Sequence, residues 1–181
     1  MKRILSLAVF ALLLSFHVST AQGQSAAENY NKGLNCYNAR NYTEAVSWWR
    51  KSADQGFAMA QYNLGYCYAQ GLGVAQNYTE AAKWYRKAAD QGRPEAQDNL
   101  GHLYEHGRGV AQNYTEAFKW YQKAANQGYA PGQRDLGRCY YLGNGVAKNL
   151  KSAEYWLTKA QAQGDKEAGR LLNLMYAASL F

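Results

Sequence analysis

Residues 102–106 read His-Leu-Tyr-Glu-His, and the spacing H-x-x-E-H is one that metal chemistry uses. On a helix, two histidines four positions apart lie on the same face, where their imidazoles could share a zinc ion. The glutamate beside the second histidine could then activate a bound water for hydrolysis. The motif is compatible with a metal-dependent hydrolase, unless a larger pattern in the sequence explains these residues.

A repeat is the main signal in the chain. GVAQNYTEAAKWYRKAADQG and GVAQNYTEAFKWYQKAANQG begin 36 residues apart, at Gly73 and Gly109, and a more divergent copy begins at Gly145. Such self-similarity predicts a stack of identical supersecondary units. A unit at 28–59 precedes the others. It is shorter, because its first helix leads to NYTEA without the G-x-G-V loop. The full units are 60–95, 96–131 and 132–167.

Each unit is predicted to form two helices. The first helix ends at a glycine pair such as Gly71 and Gly73, because glycine readily adopts the left-handed conformation that closes a helix. The second helix begins at Asn-x-x-Glu, as at Asn77 to Glu80, where the asparagine side chain can cap the helix. One hairpin cannot bury its own apolar face, so neighbouring hairpins must stack into a continuous core.

The combined motif, A-Q-x-x-L-G-x-x-Y-x-x-G-x-G-V-x-x-N-Y-x-x-A-x-x-W-Y-x-K-A-A-x-Q-G, resembles the Sel1-like repeat, a relative of the tetratricopeptide repeat. The resemblance implies an all-α fold, a right-handed α-solenoid of stacked helix-turn-helix repeats. The first unit departs from the motif, and its compact loop is closer to an ordinary tetratricopeptide repeat. The family also implies a protein-binding scaffold without catalysis, and related exported bacterial proteins are implicated in host interaction or envelope signalling.

The N-terminus predicts export. A basic pair at positions 2 and 3 precedes a mostly apolar stretch that ends at Val18, and small residues follow up to Ala21. The stretch is shorter than the roughly 20 residues of a membrane span, so a cleaved signal peptide over 1–21 is favoured over a retained anchor. A linker at 22–27 would follow. We expect a periplasmic or secreted protein that has no membrane span after cleavage.

The formal net charge of the chain is +7, but its lysines and arginines are spread thinly. Nucleic-acid-binding proteins usually cluster these residues on one face. No nucleic-acid partner is therefore expected.

The positions that differ between units are the candidates for partner binding. In tetratricopeptide-like solenoids the first helices line the concave surface, and tyrosine and arginine there are typical of binding hot spots. We expect an extended or helical segment of another protein, of unknown identity, with the end at Arg134 and Arg138 preferring acidic groups. The alternative is a solvated face without a ligand. The candidate residues are Tyr30, Tyr37, Tyr62, Tyr66, His102, His106, Arg134, Arg138 and Tyr141.

The repeat register favours a structural interpretation of H-x-x-E-H. His102 falls in the same slot as Tyr66 and Arg138, and the slots of Glu105 and His106 also hold different residues in every unit. No third metal ligand on a second helix is evident from the sequence. We therefore expect no catalytic residue, no metal and no cofactor. A periplasmic hydrolase or metal-dependent enzyme remains the alternative from another class.

The cysteines and tryptophans are expected to fill the core. Cys67 and Cys139 share an apolar slot, whereas Cys36 is out of register and could approach Cys67, so a disulfide between these two stays open. The tryptophans that recur in one register on the second helices, with Trp49 outside it, are Trp48, Trp84, Trp120 and Trp156.

A capping helix is predicted at 168–181. Leu171, Met175 and Ala178 follow helical spacing and would cover the last unit. Leu174 lies off that stripe, as does Phe181. Self-association through this end, giving an envelope structural component, is therefore a further alternative.

Overall fold

The structure, a computed structural model, describes residues 25–178, and these residues fold into helices without a strand. Residues 1–24, which contain the expected signal peptide, and Phe181 at the other end lie outside the described residues. The helices are α1 (25–38), α2 (Tyr42–Asp54), α3 (Ala58–Gln70), α4 (Tyr78–Asp90), α5 (Pro94–His106), α6 (Tyr114–Asn126), α7 (Ala130–Leu142), α8 (Leu150–Ala162) and α9 (Lys166–Ala178).

The predicted α-solenoid is confirmed. Each helix packs mainly against the helices next to it in sequence, and the first helices of successive units also contact one another, α5 with α7 and α7 with α9. The first helices therefore line one surface. Among the described residues no helix is long and apolar enough to cross a membrane.

The caps follow the sequence prediction. The side chains of Asn77 and Asn113 accept hydrogen bonds from the amides of Glu80 and Glu116, at 3.1 and 3.0 Å. The side chain of Asn149 caps α8 in the same way. Each cap satisfies one of the amides that the first turn of a helix leaves without a partner.

One glycine of each loop lets consecutive units pack closely. Gly109 has a φ of +70°, and a Cβ added there would overlap the backbone of Tyr78 in the preceding unit. The loop of one unit thus lies directly on the start of the second helix of the unit before it. A side chain at this position would force the two units apart.

The core consists of equivalent positions, here called slots, that recur every 36 residues in successive units. The leucines of the first helices, Leu64, Leu100 and Leu136, are fully buried. Gly65 faces Tyr85, whose ring would overlap a Cβ at that position, so the glycine lets the two helices approach. The second helices fill the matching slot with Trp49, Tyr85, Tyr121 and Leu157, all of them buried.

This core slot corrects the tryptophan prediction. Trp49, placed outside the register, is 2% exposed, whereas Trp48 is only half-buried and lies beneath the ammonium groups of Lys32 and Lys51. Trp84 and Trp120 are buried as expected, and Trp156 is half-buried. The tryptophan position that recurs in every unit is thus not the most buried one in the first unit, because the side chain of Trp49, beside Trp48, packs inside the hairpin.

The ends of the solenoid differ slightly from the prediction. Residues 25–27, assigned to the linker, already belong to α1. In α9 the buried hydrophobic residues are Ala168, Leu172 and Met175, so Met175 is buried as predicted, whereas Leu171 is half-buried and Leu172 beside it is buried instead. All three cysteines are free thiols.

Candidate functional site

An aromatic groove lies at the N-terminal end of the surface formed by the first helices, with a volume of about 260 Å³. Trp49 is held in place because its indole nitrogen donates to the carbonyl oxygen of Tyr30 at 3.2 Å, and its ring contacts that of Tyr37. The groove brings four of the predicted partner-binding residues together. Its lining is Tyr30, Leu34, Tyr37, Trp49, Tyr62, Asn63 and Tyr66.

Further along the same surface is a second cavity, which we call the histidine pocket, with a volume of about 300 Å³. It contains four more of the predicted residues. Its lining is His102, His106, Arg134, Asp135, Arg138, Glu167 and Leu171. Tyr141, the remaining predicted residue, lines neither cavity; it packs against the core cluster between α8 and α9.

His102 is the centre of a buried polar network in this pocket. Its Nε2 lies 3.1 Å from Asp135 Oδ2 and 3.7 Å from Asp98 Oδ2. Its Nδ1 lies 3.0 Å from the hydroxyl oxygen of Tyr121. That hydroxyl donates to Glu105 Oε2 at 2.7 Å, so the imidazole is contacted by polar groups on both nitrogens.

Two arginines complete the network. Arg138 donates to Glu105 Oε2 at 2.6 Å, and its Nε lies 3.4 Å from Asp135 Oδ1. Arg134 donates to Asp135 at 2.9 Å and to Asp165 at 3.1 Å. Because these carboxylates already bind both guanidiniums, the arginines carry little unmatched positive charge. The expected preference of this end for acidic groups therefore loses its physical basis.

Burial and contacts shift the pKa values of this network in opposite directions. Burial opposes ionisation of Glu105, but its contacts with His102 and Tyr121 outweigh that effect and lower its pKa to about 2. Burial likewise opposes the charged form of His102, yet Asp135 and Glu105 raise its pKa to about 9. Burial and the charge of Asp135 raise the pKa of Asp98 to about 7.

Sequence reasoning missed the residues that hold this network. Asp98, Glu105 and Asp135 are 5%, 7% and 2% exposed, and Tyr121 is fully buried. The repeat register predicts Glu105 to be a variable filling of a structural slot, but in the structure its carboxylate accepts hydrogen bonds from Tyr121 on α6 and Arg138 on α7. A usable signal was present: the slot that holds Tyr62 in one unit holds an acidic residue at position 98.

The family comparison matches the model of the Sel1 repeat to residues 21–57, 58–92, 94–129 and 130–165. A solved protective antigen of uropathogenic Escherichia coli strains, which displays an SLR fold, is 36% identical with a TM-score of 0.83. It matches 92% of this chain and 36% of its own length. A Sel1 repeat protein from Oxalobacter formigenes is 39% identical with a TM-score of 0.76, over 81% of this chain and 60% of its own.

A third solved structure, cysteine-rich protein B of Helicobacter pylori, is 26% identical with a TM-score of 0.56, over 71% of this chain and 96% of its own. None of the curated proteins compared with the chain matches it. The chain thus spans less than two thirds of the length of each of the first two solved relatives, 36% and 60%.

Proposed function

Because this chain belongs to the Sel1 repeat family, whose members generally act as scaffolds for protein interactions, we propose that it is an exported, non-enzymatic scaffold. It binds a segment of another protein on the surface formed by its first helices. The observation that carries this proposal is the aromatic groove, where tyrosines from two units surround Trp49.

The groove has the chemistry of a peptide anchor site. Tyr66 and Leu34 are 36% and 37% exposed although they are large apolar side chains, and they border a concave surface. Tyrosine rings give a partner a rigid apolar contact, and their hydroxyls together with the Asn63 amide can bond a peptide backbone. A partner therefore inserts an apolar side chain between the rings and is held by its main chain.

The histidine pocket provides a second contact on the same surface. Its exposed groups are His106, Glu167 and, in part, Leu171, whereas the guanidiniums of Arg134 and Arg138 are occupied by carboxylates of the chain itself. A segment long enough to run from α1 to α9 would meet apolar chemistry first and mixed polar chemistry afterwards. This order gives the partner a direction.

A matched pair of variants tests the groove. Peptides selected from a random displayed library against the purified chain are titrated against Tyr66→Ala and against Tyr155→Ala. Tyr155 is 54% exposed on α8 and lies outside both cavities, so it controls for the loss of an exposed ring. We expect Tyr66→Ala to lower affinity by at least about 2 kcal/mol, as hot-spot residues do, and Tyr155→Ala to leave it unchanged. Equal effects of the two changes would refute the groove as the binding site.

Export is supported by the basic pair, the apolar stretch and the small residues that end at Ala21. The description of the Escherichia coli relative as a protective antigen is consistent with an exposed location and with a role in host interaction or envelope signalling. Fractionation of a bacterial host followed by N-terminal sequencing tests this. We expect a periplasmic or secreted product beginning at Gln22, and a product that retains residues 1–21 would contradict it.

Self-association through α9 is a second candidate. Leu174 is 60% exposed on the last described helix, where no further unit of the described chain covers it. Light scattering would show a dimer that is lost in Leu174→Lys. A monomer at every concentration would rule this candidate out.

A further inference from the structure

The Nε2 atom of His102 faces two carboxylates from different helices. Asp98 lies on α5 with His102, and Asp135 lies on α7, so two units meet at this nitrogen. One ligand atom from each of the three residues lies within 4.8 Å of the other two. Three protein ligands are the number that an open zinc site uses, with water in the fourth position.

Asp98 has an oxygen without a partner. The residue is 5% exposed, and no donor among residues 25–178 gives its Oδ1 atom a hydrogen bond. A buried carboxylate oxygen with no donor is costly, and buried charges in proteins are normally paired or coordinate a metal. The Asp98 carboxylate thus has one oxygen, Oδ1, that no donor of the described chain satisfies, next to the Oδ2 atom that faces His102.

The far side of the imidazole is fixed in the manner of a metal ligand. Because the Tyr121 hydroxyl donates its proton to Glu105, its oxygen is left to accept the Nδ1 proton of His102. With Nδ1 as the donor to Tyr121, as assigned from the hydrogen-bond pattern, Nε2 faces Asp98 and Asp135, and a metal ion bound there would displace the proton that Nε2 shares with Asp135. Histidines that bind metals almost always donate their other N–H to an oxygen in this way.

The formal charges of the site match a divalent cation. The network contains four carboxylates, of which Glu105 and Asp165 are not in the ligand cluster, and two guanidiniums. Once a metal ion has displaced the imidazole proton, four ionised carboxylates and two guanidiniums leave a formal surplus of two negative charges. Arg134 also binds Asp135, so a cation would share that carboxylate with the guanidinium.

We propose that Asp98, His102 and Asp135 form a binding site for a divalent cation of the zinc type. One imidazole nitrogen and two carboxylate oxygens suit zinc and its borderline neighbours better than calcium or magnesium, which prefer oxygen ligands alone. The site differs from the one that H-x-x-E-H suggests, because Glu105 acts through Tyr121 and His106 is not a ligand. The inference does not depend on the proposed peptide groove.

Zinc titration of the purified, untagged chain by calorimetry tests the site. We expect one zinc ion per chain, and Asp98→Asn should weaken binding by at least the roughly 10–100-fold that loss of an outer-shell partner typically costs. Asp98→Asn removes a buried charge without a change of shape, so circular dichroism should show an intact fold. The matched control is His106→Gln, which removes the neighbouring histidine and should leave zinc affinity unchanged.

Tyr121→Phe measures the positioning role of the tyrosine. It removes only the hydroxyl beside Nδ1, and we expect zinc affinity to fall about 10–100-fold. An absence of saturable zinc binding would overturn the site, as would full affinity in Asp98→Asn. Weakened binding in His106→Gln would also overturn it, because it would move the metal to the His102, Glu105 and His106 cluster.

Discussion

Arg138 of α7 donates to Glu105 of α5 at 2.6 Å, so the buried carboxylate of one repeat is neutralised by the repeat that follows it. The side chain of Glu105 is 8% exposed and that of Arg138 is 28% exposed. The burial of the Glu105 carboxylate therefore depends on a contact between two units, and the sequence pattern of a single unit does not explain it.

Arg138→Ala is expected to destabilise the fold because it leaves Glu105 buried without its cation. Breaking a fully buried pair costs about 3–5 kcal/mol, and we expect about 2–3 kcal/mol here because Arg138 keeps part of its exposure. Urea unfolding followed by circular dichroism measures the loss. The double change Glu105→Gln with Arg138→Met removes both charges and should recover most of it, and a double variant as unstable as Arg138→Ala would argue against the ion pair.

Gly109→Ala should disrupt the packing between units. The position combines a φ of +70° with a direct approach to the backbone of Tyr78. Left-handed strain of about 1–2 kcal/mol and overpacking of about 1–3 kcal/mol together predict a loss of about 3 kcal/mol.

Gly92→Ala is the matched control for this change. Gly92 has a φ of +89° but has no atom within 4 Å of an added Cβ, so only the strain should appear in its unfolding free energy. Equal losses in the two variants would mean that the loop does not press against the preceding unit.

The free energy of unfolding should depend on pH because His102 changes its pKa on folding. Its pKa rises from 6.5 to about 9 on folding, through Asp135 and Glu105 and against burial. A raised pKa means that the folded state binds the proton more tightly, so this stabilisation is complete below pH 6.5 and is lost as the pH rises to about 9.

We therefore expect the unfolding free energy of the chain to fall between these pH values in the presence of a chelator, and His102→Gln to flatten the decline. The groups that face the imidazole are Asp98, Glu105, Tyr121 and Asp135. Asp98 also titrates at the lower end of the range, because burial and Asp135 raise its pKa to about 7. Most of the change from Asp98 falls below pH 7, so a decline of the same size in His102→Gln would show that His102 does not cause it.

The solenoid could be predicted from sequence because its signals are local and repeated. The asparagine caps, the loop glycines and the buried leucines each depend on one slot whose surroundings are the same in every unit. The aromatic groove was predictable in part, since Tyr62 and Tyr66 lie on a first helix at positions whose residue differs between units.

The polar network could not be predicted in this way. Glu105 is buried because Tyr121 and Arg138, from two other slots, bind it at the same time. When each repeat position is compared between units separately, Glu105 and Arg138 each differ from their counterparts, and nothing indicates that they contact Tyr121 or one another. The wrong prediction for Trp48 and Trp49 has a related cause. Trp49 and Tyr85 occupy the same buried repeat position but are different residue types, so the sequence does not show that the position is shared.

Mapping a selected peptide onto the chain by amide chemical-shift perturbation tests the central claim most directly. That claim is our proposal that the varied positions of the first helices bind the partner, whereas the positions that stay the same in every unit build the solenoid. We predict that shifts concentrate around Tyr30, Tyr37 and Tyr66 and leave the neighbourhood of Tyr155 unchanged. Shifts that concentrate on the second helices, around Tyr155, with none in the aromatic groove would contradict it.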